Sequence, residues 1–244
     1  MRKEYWFVII AYIAMQLSGI VGIPIMMFLG MALGVPLDEI QHKAGAYWIV
    51  FSFIVALIVI LFLLRKDIRN NIDNRRQSSP GVSLAWAVGG VFLALFSQSV
   101  AGMIEKMLGI ETGSENTQEI LQLIKSVPAV ILVSSIIGPI LEELIFRKII
   151  FGSLYKRFNF FISALISSII FGVAHFELVH ILLYSAMGFT FAFLYVKTNR
   201  IIVPIFAHVA MNTLVVILQS AYKDDIEKMM KDMEQAQSFI GGLL

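Results

Sequence analysis

Three long stretches of this chain contain no charged side chain, and they constrain its fold more than any other feature. They cover residues 5–37, 44–64 and 77–104. A helix that crosses the hydrocarbon core of a bilayer needs about 20 apolar residues, and each stretch can supply them. Hydrophobic residues make up 58% of the chain and charged residues only 15%, which does not suit a water-facing surface. The sequence therefore predicts an integral membrane protein.

The hydropathy pattern predicts an all-α, polytopic membrane helix bundle of about seven transmembrane helices, with an eighth span left open. The spans are expected near residues 6–33, 46–64, 82–103, 128–152, 160–175, 178–196 and 200–219. The first is over-long, because as one helix it would measure about 50 Å against a hydrocarbon core of about 30 Å. Pro24 is therefore expected to mark a kink or a separate interfacial segment.

Basic residues predict the orientation of the bundle. The loop after the second span contains Arg65, Lys66, Arg69, Arg75 and Arg76. The loop after the third span is mainly acidic. The positive-inside rule places the basic loop in the cytoplasm, together with the N-terminus and residues 155–157 and 197–200. We expect a multi-pass protein of a bacterial plasma membrane with a cytoplasmic N-terminus.

The distribution of charge divides the chain into three predicted parts. Residues 1–125 would form N-terminal membrane helices with the basic loop, residues 126–220 a second membrane core, and residues 221–244 a charged amphipathic tail. A net charge of +2 gives no indication of a nucleic-acid partner. The chain has no cysteine, which excludes a thiol nucleophile and a disulfide framework.

The predicted fourth span contains two adjacent carboxylates, Glu142 and Glu143, followed by Arg147. Each charge near the bilayer centre costs about 2.5–3.5 kcal/mol, so such residues need partners, water or a function. Glu143 and Arg147 are four residues apart, which favours an ion pair on one helix face. Glu142 points about 100° away from Glu143 in an α-helix and is left for another partner. An unpaired carboxylate in such surroundings suits a general base.

Further polar residues occur in the fifth and seventh spans. His175 ends the fifth span, and His208 and Asn212 share a face of the seventh. Counted from the cytoplasmic ends at 1.5 Å per residue, Glu142 lies about 19 Å deep, His175 about 22 Å and His208 about 12 Å. The four side chains can therefore share one layer. A water between Glu142 and His175 could attack an amide carbonyl while His208 and Asn212 donate to the oxyanion.

A divalent metal is an alternative activator of the water. Glu142, His175 and His208 are of the residue types that bind zinc, although the helical His-Glu-x-x-His signature is absent. Glu177 and His180, one turn apart, are expected to line or cap the outer end of the bundle.

Three blocks together resemble a known family: Glu-Glu-x-x-x-Arg at 142–147, Phe-x-x-x-His at 171–175 and His-x-x-x-Asn at 208–212. They are similar to those of the CPBP or Abi intramembrane endopeptidases, which include the type II CAAX prenyl endopeptidases and bacteriocin-processing and immunity proteins. The resemblance covers about residues 125–220. It implies a helical membrane protease in which Glu142 and His175 activate water and His208 and Asn212 form the oxyanion site. Glu143 and Arg147 would have a supporting role.

Two other functions remain open from the residues alone. Buried carboxylates and histidines can relay protons in a proton-coupled transporter, although no inverted repeat of broken helices is visible. A non-catalytic scaffold that binds a peptide is the third hypothesis. The expected partners are the lipid bilayer and a peptide or membrane-protein substrate, and the sequence does not indicate an oligomeric state.

Overall fold

The computed structural model describes residues 2–70, 76–111 and 113–221, and the predicted amphipathic tail lies outside the described residues from 222 onward. The described chain forms nine helices without a strand: α1 (Lys3–Leu17), α2 (Gly19–Ala32), α3 (Leu37–Asn70), α4 (Pro80–Met107), α5 (Glu115–Ser126), α6 (130–154), α7 (Phe160–Val173), α8 (Ile181–Thr198) and α9 (Ile202–Ala221). A short 3₁₀ turn, Leu178–His180, precedes α8. The all-α prediction is confirmed.

Within the described residues, four helices are long and apolar enough to cross a membrane: α3, α4, α9, and α8 with the turn before it. The pair α1 and α2 adds a fifth candidate, bent by 50°. Helix α7 is apolar but has only 14 residues. Helix α6 runs without interruption but alternates between α and π geometry. Together these helices form a multi-pass bundle.

The bend in the first apolar segment is at Ser18, so of the two alternatives predicted for Pro24, a kink or a separate interfacial segment, the kink is wrong. Helix α1 ends at Leu17 and α2 begins at Gly19, whereas Pro24 lies inside α2. The Ser18 hydroxyl donates to the backbone oxygen of Met15 at 2.6 Å and accepts from the indole N–H of Trp48 at 3.0 Å. A side chain that binds its own backbone competes with the helical ladder, so the bend occurs at Ser18.

Three basic segments lie at one end of the bundle, as the orientation argument requires. Arg2 pairs with Asp67 near the end of α3. The side chain of Asn199, after α8, donates to the backbone oxygen of Arg76, and Arg200 donates from Nε to that of Ser78. The N-terminus, the basic loop and the α8–α9 turn therefore belong to the same side of the membrane.

Helix α8 packs between α4, α7 and α9, and small residues allow close contact. A Cβ at Gly90 of α4 would lie 2.6 Å from a methyl group of Leu194 and 3.2 Å from the Cβ of Ala207. A Cβ at Gly188 would lie 3.0 Å from the Cβ of Ser168 in α7. Small residues at helix contacts are typical of membrane bundles. Here they hold the helices that carry the candidate site.

Replacing Gly90 by Ala should destabilise the bundle, because the new methyl group overlaps two neighbours. Overpacking of this kind costs about 1–3 kcal/mol. The adjacent Gly89 is a matched control, since a Cβ there meets nothing within 4 Å. Unfolding of both variants in mixed micelles measures the difference. Equal stability of Gly90→Ala and Gly89→Ala would contradict the packing of α4 against α8 and α9.

Candidate active site

Helix α6 carries both glutamates, and its geometry departs from a regular α-helix around them. Residues Val133–Ile137 and Glu143–Phe151 are π-helical, with Gly138–Glu142 in α geometry between them. Pro139 lacks an N–H and crowds the carbonyl four residues earlier, which favours a wider turn before it. A Cβ at Gly138 would lie 3.0 Å from the Val133 oxygen, so this close turn favours glycine. π-Helical turns are rare and occur often at functional sites.

The predicted ion pair between Glu143 and Arg147 is present and fully buried. Arg147 Nε lies 3.0 Å from Glu143 Oε2, and both side chains have no solvent exposure. The guanidinium carbon lies 4.3 Å from the ring centroid of Phe171 and 5.4 Å from that of Phe191. Aromatic faces attract cations, so the arginine is held by one carboxylate and two rings.

His208 stands between the two glutamates. Its Nδ1 lies 2.9 Å from Glu143 Oε1, a hydrogen bond, and its Nε2 lies 3.7 Å from Glu142 Oε2, which is ion-pair distance only. The Phe191 ring stacks on the imidazole at 4.5 Å between centroids. From the sequence we expected the two glutamates to point about 100° apart toward different partners. In the structure both carboxylates lie within ion-pair distance of the same imidazole.

His175 lies in the turn after α7 and belongs to the same cluster. Its Nδ1 is 2.8 Å from the backbone oxygen of Phe171, so Nδ1 carries the proton in this hydrogen bond, and in the neutral ring Nε2 has the lone pair. The Phe171 ring lies 4.5 Å from the His175 ring and 6.1 Å from the His208 ring. Phe171 therefore links the two histidines.

Asn212 lies one turn beyond His208 on α9. Its Nδ2 donates to the backbone oxygen of Ser134 in α6 at 3.3 Å. An amide nitrogen has two N–H groups, so this contact leaves one for another acceptor.

The six predicted side chains divide by exposure. Three of them are half-buried and three are buried, so solvent reaches the first three more readily. The half-buried side chains are Glu142, His175 and Asn212, and the buried ones are Glu143, Arg147 and His208. The Glu142 side chain is 19% exposed, against 3% for His208.

The structure adds residues that the sequence analysis missed. Tyr12 of α1 is buried, packs edge-on against Phe146 at 6.1 Å and lies within electrostatic reach of Glu142. Tyr184 of α8 stacks on His175. Neither residue has a local signal, because each meets the site only through tertiary packing.

The outer end is held by the two residues expected to line or cap it. Glu177 accepts the backbone N–H of Glu115, the first residue of α5, at 2.7 Å. His180 Nδ1 lies 2.8 Å from Glu105 Oε2, and its Nε2 lies 3.0 Å from the backbone oxygen of Gly113. Glu177 thus caps α5, and His180 ties the start of α8 to α4.

The zinc alternative requires Glu142, His175 and His208 to converge on one ion. Across the described residues, no three side chains of His, Asp or Glu are grouped closely enough to hold a metal ion. His208 Nδ1 is already bound to Glu143, which leaves only Nε2 as a ligand. The side chains as placed do not form a zinc site.

Comparison with known proteins identifies the family. The family profile "Type II CAAX prenyl endopeptidase Rce1-like" matches residues 124–214, which include all six predicted side chains. The chain is 53% identical over 245 residues to the Bacillus subtilis (strain 168) protein named "Putative membrane peptidase YdiL", covering 100% of this chain and 99% of that protein.

A second relative is the "Membrane-embedded CAAX protease MroQ" of Staphylococcus aureus (strain USA300). It is 32% identical over 195 residues, which is 76% of this chain and 78% of that protein. No solved structure matches the chain. The chain therefore belongs to the Rce1-like family of type II CAAX prenyl endopeptidases and is a membrane protease of that type.

Proposed function

We propose that this protein is an intramembrane endopeptidase that hydrolyses a peptide bond with a water activated by Glu142 and His175. His208 and Asn212 stabilise the oxyanion, and Glu143 and Arg147 support His208. The main support for the proposal is the position of His208 between two carboxylates. Glu143 is buried in an ion pair, and Glu142 is partly exposed and therefore accessible.

The proposed mechanism uses the doubly protonated ring of His208. Nδ1 lies 2.9 Å from Glu143 Oε1, and because a carboxylate oxygen accepts, this nitrogen is the donor. In this form both ring nitrogens donate: Nδ1–H to Glu143, and Nε2–H toward Glu142.

Glu142 is the proposed general base. Its carboxylate takes a proton from water, and the water oxygen forms a bond to the peptide carbonyl carbon. The unprotonated Nε2 of His175 accepts the second water hydrogen as a hydrogen bond and orients the oxygen. When the carbon–nitrogen bond breaks, Glu142 returns its proton to the leaving amine, so the enzyme ends the cycle unchanged.

His208 and Asn212 are the proposed donors to the oxyanion. The 3.7 Å between His208 Nε2 and Glu142 Oε2 is longer than a hydrogen bond, which leaves the Nε2–H for a substrate oxygen. The second N–H of Asn212 can donate to the same oxygen. Fixed donors at developing negative charge are worth about 2.7–4 kcal/mol each.

The proposed substrate is a peptide or a segment of a membrane protein that reaches the site from the bilayer or its surface. The name of the Staphylococcus relative makes CAAX peptides one class to test, and bacterial peptide precursors are a second.

Glu142→Gln should reduce cleavage about 10²–10⁴-fold, because the amide keeps the shape but cannot accept the proton. Peptides released from membranes with the wild type and with the variant are compared by mass spectrometry. The exposed Glu119→Gln on α5 is a matched control that should cleave normally. If Glu142→Gln releases the same peptides, the proposal is wrong, and substrate flux into liposomes then tests the transporter alternative.

Arg147→Met should lower the free energy of unfolding by about 3–5 kcal/mol, since it leaves a buried carboxylate without its cation. The double variant Glu143→Gln with Arg147→Met should recover part of this loss, because it removes both charges. Denaturation of the two single variants, Arg147→Met and Glu143→Gln, and of the double variant in micelles measures the coupling. Strict additivity would show that the two side chains do not act as a pair.

Chelator treatment tests the metal alternative. Because His208 Nδ1 is bound to Glu143 and the three candidate ligands do not converge, we expect full activity after dialysis against a strong chelator. Metal analysis of the purified protein should find much less than one zinc per chain. Loss of activity that zinc restores would instead establish Glu142, His175 and His208 as a metal set.

A further inference from the structure

His175 lies just beyond the end of a helix. Helix α7 ends at Val173, and His175 lies in the turn that follows. The next residue, Phe176, has φ +57°, the left-handed region that bulky side chains avoid, and 87% of its surface is exposed. A turn of this kind persists only when contacts around it fix it.

Two aromatic rings fix the His175 imidazole. The Tyr184 ring stacks on it with 4.1 Å between centroids and 22° between planes. Phe171 meets it edge-on at 4.5 Å, and the Phe171 backbone oxygen binds Nδ1. The stack sets the plane of the ring and the hydrogen bond sets its rotation. The Nε2 lone pair lies in the ring plane, where neither contact covers it.

Tyr184 is itself anchored to the same turn. Its hydroxyl donates to Glu177 Oε2 at 2.8 Å, and Ser114 donates to the same oxygen at 2.7 Å. Burial acts to raise the pKa of the Glu177 carboxyl, but the hydrogen bonds it accepts and the nearby His180 outweigh burial and lower the pKa below its usual range. Glu177 is therefore an ionised, strong acceptor at neutral pH.

We infer that Tyr184, anchored by Glu177, is a positioning residue that holds His175 in the orientation needed for water activation. This inference rests on the proposed function. Tyr184 contacts the turn at two points, through its ring at His175 and through its hydroxyl at Glu177. The hydroxyl is occupied by Glu177 and Ser114, so it acts through His175 and does not serve as a donor to substrate.

The test compares variants of Tyr184 in the full-length protein. The probe is a quenched fluorescent copy of a peptide whose release from membranes depends on Glu142. Tyr184→Leu should lower kcat about 10–100-fold, because a displacement of about 1 Å in a reacting group costs that much, and should leave KM within about twofold. Tyr184→Phe keeps the stack and loses only the anchor, so it should lose less than about tenfold.

Gly30→Ala is the matched control for lost stability. A Cβ at Gly30 of α2 would lie 2.5 Å from the side chain of Ile40 in α3, a contact that includes none of the residues around His175, so this variant should lower the melting temperature while kcat per folded molecule stays close to the wild type. The exposed Tyr47→Leu controls for loss of a tyrosine elsewhere. Melting temperature is measured for every variant, so that kcat is expressed per folded molecule.

The outcomes separate the two claims. Wild-type kcat in Tyr184→Leu, or a loss no larger than in Gly30→Ala, overturns the positioning role while Glu142→Gln remains inactive and the proposed function stands. Cleavage by Glu142→Gln overturns the proposed function itself. If Tyr184→Leu does not fold, Tyr184→Phe decides: a three- to tenfold loss of kcat supports the inference, and wild-type kcat overturns it.

Discussion

The structure depends on charge compensation in a medium that cannot solvate charge. Arg147 and Glu143 are both fully buried, and an isolated ion at this depth would be too costly to keep. The guanidinium has a carboxylate and two aromatic faces as neighbours, while the other oxygen of the carboxylate binds His208. One ion pair on α6 thus fixes the position of α9 through His208 and of α7 through Phe171.

The backbone of α6 explains how two adjacent carboxylates serve one imidazole. In a regular α-helix Glu142 and Glu143 would point about 100° apart. The π-helical turns on both sides of residues Gly138–Glu142 change the directions of the side chains relative to that expectation. Pro139 and Gly138 provide the local cause, since one removes a backbone donor and the other allows a carbonyl to approach.

The parts of the site that were predictable are those with local signals. The pairing of Glu143 with Arg147 follows from i, i+4 spacing, and membrane helices follow from apolar runs. Proline bends helices on average, yet here the bend follows Ser18, whose partner Trp48 is 30 residues away. Tyr12 and Tyr184 reach the site across helices, so no periodicity within their own segments could identify them. Tertiary packing of this kind requires coordinates.

The exposure of the side chains indicates from which side a substrate would approach the site. Arg147, Phe171 and Phe191 close one side of His208, and none of them is accessible. Glu142, His175 and Asn212 are the more accessible groups, and His208 Nε2 faces Glu142, so in the proposed mechanism a peptide approaches from this side. The buried side keeps its geometry through an ion pair and packed rings. His175 lies in the turn beyond the end of α7, where Phe171 and Tyr184 contact its ring. The proposed activation of water therefore depends on packing between α7 and α8 as well as on the ion pair of α6.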